Sequence, residues 1–179
     1  MKKLINISLD AMGGDSAPDI VIDGAAQAKV RFPNLKFTFS GDENIISSLI
    51  NSFSNLHDSK IVHTNEFISA NEKPSVALRT GKNSSMAHAI NQVKSGFCDA
   101  VVSAGNTGAL MAMSKLYLRP IEGISRPAIA AYFPTIIGES CMLDLGANID
   151  CDAKNLVQFS FMGQAFASII MGIKDPTVS

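Results

Sequence analysis

Tryptophan is absent and tyrosine occurs only twice in 179 residues. A surface that stacks nucleic-acid bases needs aromatic rings in number, so that class of binding is disfavoured. The formal net charge of −1 argues equally against a polyanion held by bulk electrostatics. Cysteine is scarce and odd in number: Cys98, Cys141 and Cys151 form no CxxC pair. This favours reduced, packed thiols in a cytosolic protein over a disulfide scaffold or a zinc site. The opening run to Asp10 carries two lysines but only a strand-length apolar stretch, broken by Asn6, so it is not a signal peptide. Several motifs are missing as well. There is no GxGxxG dinucleotide fingerprint, no GxxxxGK followed by Ser or Thr, no GxSxG elbow, no HExxH and no metal-ligand spacing. A nicotinamide dehydrogenase and a P-loop nucleotidase are therefore set aside. His57, His63 and His88 lie apart and read as surface or packing residues.

What remains is ample for a packed core: 46% of residues are hydrophobic and 17% charged, with no repeat or low-complexity segment. Leu4 to Leu9 reads as a first strand. A glycine-bearing loop, Asp10 to Asp15, follows it, and a helix begins at Ser16-Ala17-Pro18-Asp19, with Ser16 or Ala17 near the cap. Leu35 to Ser40 is the next strand, and Glu43 to Phe53 is a helix with Ile45, Ile46, Leu49 and Ile50 at helical spacing. Lys60 to His63 is a short third strand. A polar loop runs from Thr64 to Ser75, a helical turn from Ser75 to Thr80, and a helix from Ser84 to Lys94. Ala100 to Ser103 is a strand that leads into another helix. Ala128 to Phe133 and Cys141 to Leu145 read as a strand pair joined by a hairpin-type connection, Pro134 to Ser140. A long apolar helix runs from Leu156 to about Ile173. Gln158 and Gln164 interrupt it, so it reads as a buried or dimer-interface helix rather than a membrane span. The alternation of β and α predicts a mostly parallel sheet covered on both faces, a three-layer α/β/α arrangement in a single domain over 1–179. Lys174 to Ser179 reads as the start of a new strand, so the chain is expected to be the N-terminal part of a longer one.

In an open parallel sheet, ligands bind beyond the carboxyl ends of the strands. Three loops fall there: Asp10 to Asp15, Ser103 to Gly108, and Asp144 to Asn148. The second is the most telling. A strand enters a tight Ser103-Ala104-Gly105-Asn106-Thr107-Gly108 turn and leaves as a helix. Glycine lets the backbone approach a ligand closely, and the new helix aims unpaired N–H groups and its positive dipole end at the turn. That combination holds anions such as phosphate. The plainer reading is an ordinary strand-to-helix turn. Asp10, Asp15 and Asp144 invite comparison with a magnesium site, but aspartates commonly cap loops and form turns, the reading favoured for Asp15, and no metal is expected. Lys73, Arg79 and Lys82 precede the Ser84-Ser85 helix start. They could supply cations to a phosphate or a phosphopantetheine arm, or form a solvated basic patch.

The stretches Leu9 to Pro18, Lys73-Pro74-Ser75, Ser84-Ser85-Met86, Asp99 to Met111, Ser125-Arg126-Pro127 and Leu143 to Asn148 together resemble the bacterial phosphate acyltransferases of phospholipid synthesis. The DAMGGD and SAGNTGAL pair is the most specific part of the likeness. The resemblance implies a Rossmann-like, phosphotransacetylase-like fold. It implies an acyltransferase that makes acyl phosphate from acyl-acyl carrier protein and inorganic phosphate, without a cofactor. It also implies a homodimer and a cytoplasmic location with peripheral attachment to the inner membrane face. On that reading Asn106, Thr107, Gly105 and Gly108 hold phosphate or the oxyanion, with Ser103 beside them. Gly13 and Gly14 admit the substrate, Asp10 orients a donor or takes a proton, Asp144 and Asn148 close the far wall, and Lys73 and Arg79 are the cations. The alternative is a non-catalytic truncated module that binds acyl carrier protein or phosphate.

Overall fold

The computed structural model describes residues 3–136 and 138–179. Met1 and Lys2 of the opening run, and Ile137 of the hairpin connection, lie outside them. The chain divides into two compact units, one ending at Arg119 and one beginning at Pro120.

The first unit is built on four parallel strands: β1 (Ile5–Asp10), β2 (Leu35–Gly41), β3 (Lys60–His63) and β4 (Ala100–Val102), in the spatial order β3-β2-β1-β4. The helices are α1 (Asp19–Arg31), α2 (Glu43–Ile50), α3 (Pro74–Thr80), α4 (Ser85–Lys94) and α5 (Thr107–Leu118). Side chains alternate along a strand, and here the alternation separates two chemistries. Leu9, Phe37 and Phe39 enter one core with Ile22, Ala25 and Ala26 of α1 and Ile46 and Ile50 of α2. The intervening residues Ser8, Asp10, Thr38 and Ser40 are buried too, but polar. α4 packs across β1, β2 and β4. Its Met86 and Ile90 form a second core with Ala77 of α3 and with Ala109 and Met113 of α5. Helices cover both faces, so the three-layer α/β/α arrangement expected from the sequence is present.

Several boundaries differ from expectation for local reasons. Pro18, not Ser16 or Ala17, is the cap of α1, and no side chain bonds to the free amides. The second helix stops at Ile50, and Ser54–Leu56 forms a separate 3₁₀ turn.

The second unit is a β-hairpin and one helix. β5 (Ala130–Thr135) and β6 (Gly138–Leu143) pair antiparallel, and α6 (Ala153–Ile169) packs on β6. Asp152 and Asn155 form a reciprocal capping box at its start. α6 ends earlier than Ile173 because Gly172, at φ 70°, turns the chain and the Ile173 N–H bonds back to the Ala167 carbonyl. The helix is less buried than its composition suggests. Phe159 and Ala167 are its buried apolar residues, while Leu156, Val157, Phe161 and Ile169 are exposed. Among the described residues, no helix is long and apolar enough to cross a membrane.

Candidate functional site

β1 and β4 are neighbours, with Leu9 opposite Val102. The loops that leave their carboxyl ends therefore emerge side by side, and the glycines make the contact intimate. A Cβ on Gly105 would lie 3.3 Å from Gly13 Cα, and one on Gly13 would lie 2.5 Å from Asp10 Oδ2 and 3.0 Å from Gly105 N. No side chain fits at Gly13 without displacing the Asp10 carboxylate. Two of the three loops singled out from the sequence thus meet in one place.

Asp10 lies at the bottom of this contact and is 1% exposed. Its Oδ1 accepts a hydrogen bond from Ser85 Oγ at 2.6 Å, and its Oδ2 accepts one from Ser103 Oγ at 2.7 Å. Ser103 Oγ in turn accepts from the Gly105 N–H at 3.1 Å. Asp10 was expected to orient a donor or take a proton, and Ser103 to stand beside the phosphate. Here their polar atoms are engaged inside the protein.

Above this network stands the first turn of α5. Asn106 is its cap, with Oδ1 accepting from the Ala109 N–H at 2.9 Å. Its Nδ2 donates to the carbonyls of Ala70 and Glu72, each at 2.8 Å, and more weakly to Ser69 at 3.5 Å. The amide group is thus committed to protein, where a contact with phosphate was expected. It clasps the 69–73 loop to the start of α5. Pro74 packs so close to Gly108 that a Cβ there would come within 2.8 Å of Pro74 Cγ. Among the described residues, the backbone N–H groups of Asn106, Thr107 and Gly108 have no acceptor. They are three of the orphan donors that every helix start leaves. The Thr107 side chain is exposed.

Lys73 is exposed and is the cap residue of α3, next to Pro74. Arg79, also exposed, is in the last turn of the same helix. At 1.5 Å per residue it lies roughly 8 Å further along from Pro74. Of the two cations, Lys73 is the one the fold ties to the α5 turn. Gly14, at φ 114°, faces Ala104 across the same contact.

Asp144 and Asn148 belong to the second unit and bond to each other. Asp144 Oδ1 accepts from the Ile129 N–H at 2.7 Å, and Oδ2 accepts from Asn148 N at 2.7 Å and Nδ2 at 3.0 Å. Asn148 Nδ2 also donates to the Pro127 carbonyl at 2.9 Å. Desolvation pushes the Asp144 carboxyl up. The bonds from Ile129, from the Asn148 side chain and from the Asn148 and Ala147 backbones outweigh it, and hold the group below its ordinary value. The pair braces its own loop.

Two surface concavities lie elsewhere. One of about 390 Å³ is lined by Lys29, Asn55, His57 and Asp58. One of about 620 Å³, within the second unit, lies between β6, α6 and the final residues. None of the candidate site residues, from Asp10 and Gly13 to Asp144 and Asn148, lines either. Ser85 is the participant that sequence reasoning missed. Its signals were its place in a helix start and in Ser84-Ser85-Met86, one of the stretches that carry the family resemblance.

With this geometry established, known proteins offer a comparison. A family model described as "Fatty acid synthesis protein" matches residues 5–179. A phosphate acyltransferase of Rhodospirillum centenum is 54% identical over 179 residues, covering 99% of this chain and 50% of the relative. Phosphate acyltransferases of Paramagnetospirillum magneticum and Rhodospirillum rubrum are 47% and 50% identical, each with 99% of this chain and 51% of the relative covered. The chain spans about half the length of the curated relatives it matches.

Proposed function

This chain belongs to the fatty acid synthesis protein family, and from that premise we propose that it carries the phosphate-holding part of an acyltransferase that makes acyl phosphate from acyl-acyl carrier protein and inorganic phosphate. The observation that carries the reading is the group of three unpartnered N–H donors at Asn106, Thr107 and Gly108, set beside the Gly13–Gly105 contact. Anions are held in such places by backbone N–H groups and the helix dipole together. The relatives are phosphate acyltransferases, which supports acyl transfer involving phosphate, and the resemblance of the DAMGGD and SAGNTGAL stretches supplies the acyl-carrier substrate.

The chemistry asks little of side chains. A phosphate oxygen attacks the thioester carbonyl carbon, a tetrahedral oxyanion forms, and the C–S bond breaks to release the carrier thiolate, which takes up a proton. Phosphate is already a nucleophile and a thiolate is a good leaving group. The protein's task is to place two anionic reactants together, and positioning contributes up to about 7–11 kcal/mol in favourable cases. An oxyanion donor contributes about 3–4 kcal/mol more. The turn amides and the Thr107 hydroxyl hold phosphate, Lys73 offsets charge, and Arg79 adds to the positive field at longer range. Gly13, Gly14, Gly105 and Gly108 let the two loops and Pro74 pack closely enough to bring the turn amides together. Asp10, Ser103 and Asn106 hold the turn in shape, and Asp144 and Asn148 do the same for their own loop. The exposed apolar residues of α6 suit a homodimer contact, and the resemblance extends to a cytoplasmic enzyme resting on the inner membrane face.

The test is to incubate purified protein with palmitoyl-acyl carrier protein and inorganic phosphate, following acyl phosphate by ³¹P NMR and carrier thiol release by a thiol reagent. Stoichiometric appearance of both supports the proposal. Phosphate binding without acyl phosphate points to a binding module, and absence of both overturns the assignment.

A further inference from the structure

We infer that Ser85 is a positioning residue for the phosphate turn, acting through the Asp10 carboxylate. The inference rests on the reading that the turn holds phosphate, and it adds a residue to which that reading gives no role.

Ser85 opens α4 and is 1% exposed. Its backbone N–H is bonded to the Glu66 carbonyl at 2.8 Å, so its position is fixed independently of its hydroxyl. The hydroxyl donates a short hydrogen bond to Asp10 Oδ1, at 2.6 Å. From there the bonds run Asp10 Oδ2, Ser103 Oγ, Gly105 N. Four groups from α4, β1 and the turn form one continuous chain. It ends on the amide immediately before the three free donors.

A buried carboxylate is costly unless its oxygens are bonded. Without the Ser85 hydroxyl, Oδ1 has no donor among the described residues. The carboxylate must then turn or draw in water. Either response shifts Oδ2, and Ser103 and the Gly105 amide follow because they are bonded to it in series. Donors that must meet a small anion tolerate only about 0.5 Å of error. Asp10 is sealed from solvent, so it acts as the fulcrum of this chain and not as the group that touches substrate.

The experiment uses this chain with Ser85→Ala, Ser85→Cys and Ser85→Thr. Calorimetry with inorganic phosphate gives affinity, and amide hydrogen exchange reports the turn at Gly105 and the core at Ile90. Alanine is expected to weaken phosphate about tenfold and to speed Gly105 exchange by a similar factor, with Ile90 unchanged. Threonine, which keeps the hydroxyl, is expected to restore both. Cysteine, a weaker donor of similar size, falls between and serves if alanine prevents folding. Unchanged affinity and unchanged Gly105 exchange in the alanine and cysteine variants overturn the role of Ser85 while leaving the phosphate reading intact. If the unaltered chain binds no phosphate, the phosphate reading fails, and the inferred role of Ser85 fails with it. Gly105 exchange then tells only whether the hydroxyl orders the turn.

Discussion

Replacing Asn106 with alanine removes both the cap of α5 and the clasp on the 69–73 loop. The cap, from Oδ1 to the Ala109 N–H, is worth about 1 kcal/mol. The two 2.8 Å bonds to the Ala70 and Glu72 carbonyls contribute about 1 kcal/mol each. Ala70 is exposed, so water can take over part of that bond, and the total falls at about 2–3 kcal/mol for opening this corner. Serine separates the two roles, because it caps a helix but is too short to donate to both carbonyls. Asn106→Ser is therefore expected to lose about 1–2 kcal/mol and Asn106→Ala about 1 kcal/mol more. Native-state amide exchange at Ala109 and Leu110 reads the corner locally, with Ile90 as the internal reference. Phosphate affinity is expected to fall about tenfold in the alanine variant as the Thr107 and Gly108 amides splay. Serine and alanine variants with the same exchange would show that the cap carries nothing. If both match the unaltered chain, the clasp has no energetic weight and the reasoning is refuted.

Further expectations follow from other contacts. Gly13→Ala places a methyl 2.5 Å from Asp10 Oδ2, so phosphate binding should be lost and the melting temperature lowered, as calorimetry would show. Ser8→Ala removes a fully buried hydroxyl that has no partner among the described residues, so urea denaturation should show stability unchanged or raised by about 1 kcal/mol; a clear loss would mean the hydroxyl is bonded. Lys73→Gln should raise the phosphate KM more than Arg79→Gln, and equal effects would separate Lys73 from the turn. Asp144 is held below its unfolded value, so its contribution to stability is present above about pH 4 and fades as pH falls through the lower folded value. Thermal melts should accordingly show the deficit of Asp144→Asn shrinking towards low pH.

The layers of the fold were legible because they rest on local pattern. Lys60 to His63 was recognisable as a strand from four consecutive residues, and the Asn106 turn from the apolar run before it and the small residues after it. Element ends were less so: the stop at Ile50 and the turn at Gly172 depend on how the chain folds back on itself. The roles of site side chains were least legible. The Asp10–Ser85 bond joins residues 75 apart in the chain, and the Asn106–Glu72 bond joins residues 34 apart. No spacing rule connects them. A polar residue at a strand tip looks the same in sequence whether it faces a ligand or a neighbouring hydroxyl, and only burial separates the two.

The most direct measurement is a titration of the ¹⁵N-labelled chain with inorganic phosphate, following the amide resonances. The account predicts saturable shifts concentrated at Asn106, Thr107 and Gly108, with little change at the core amide of Ile90. Shifts spread evenly over surface lysines, or none at the α5 turn at millimolar phosphate, would contradict it.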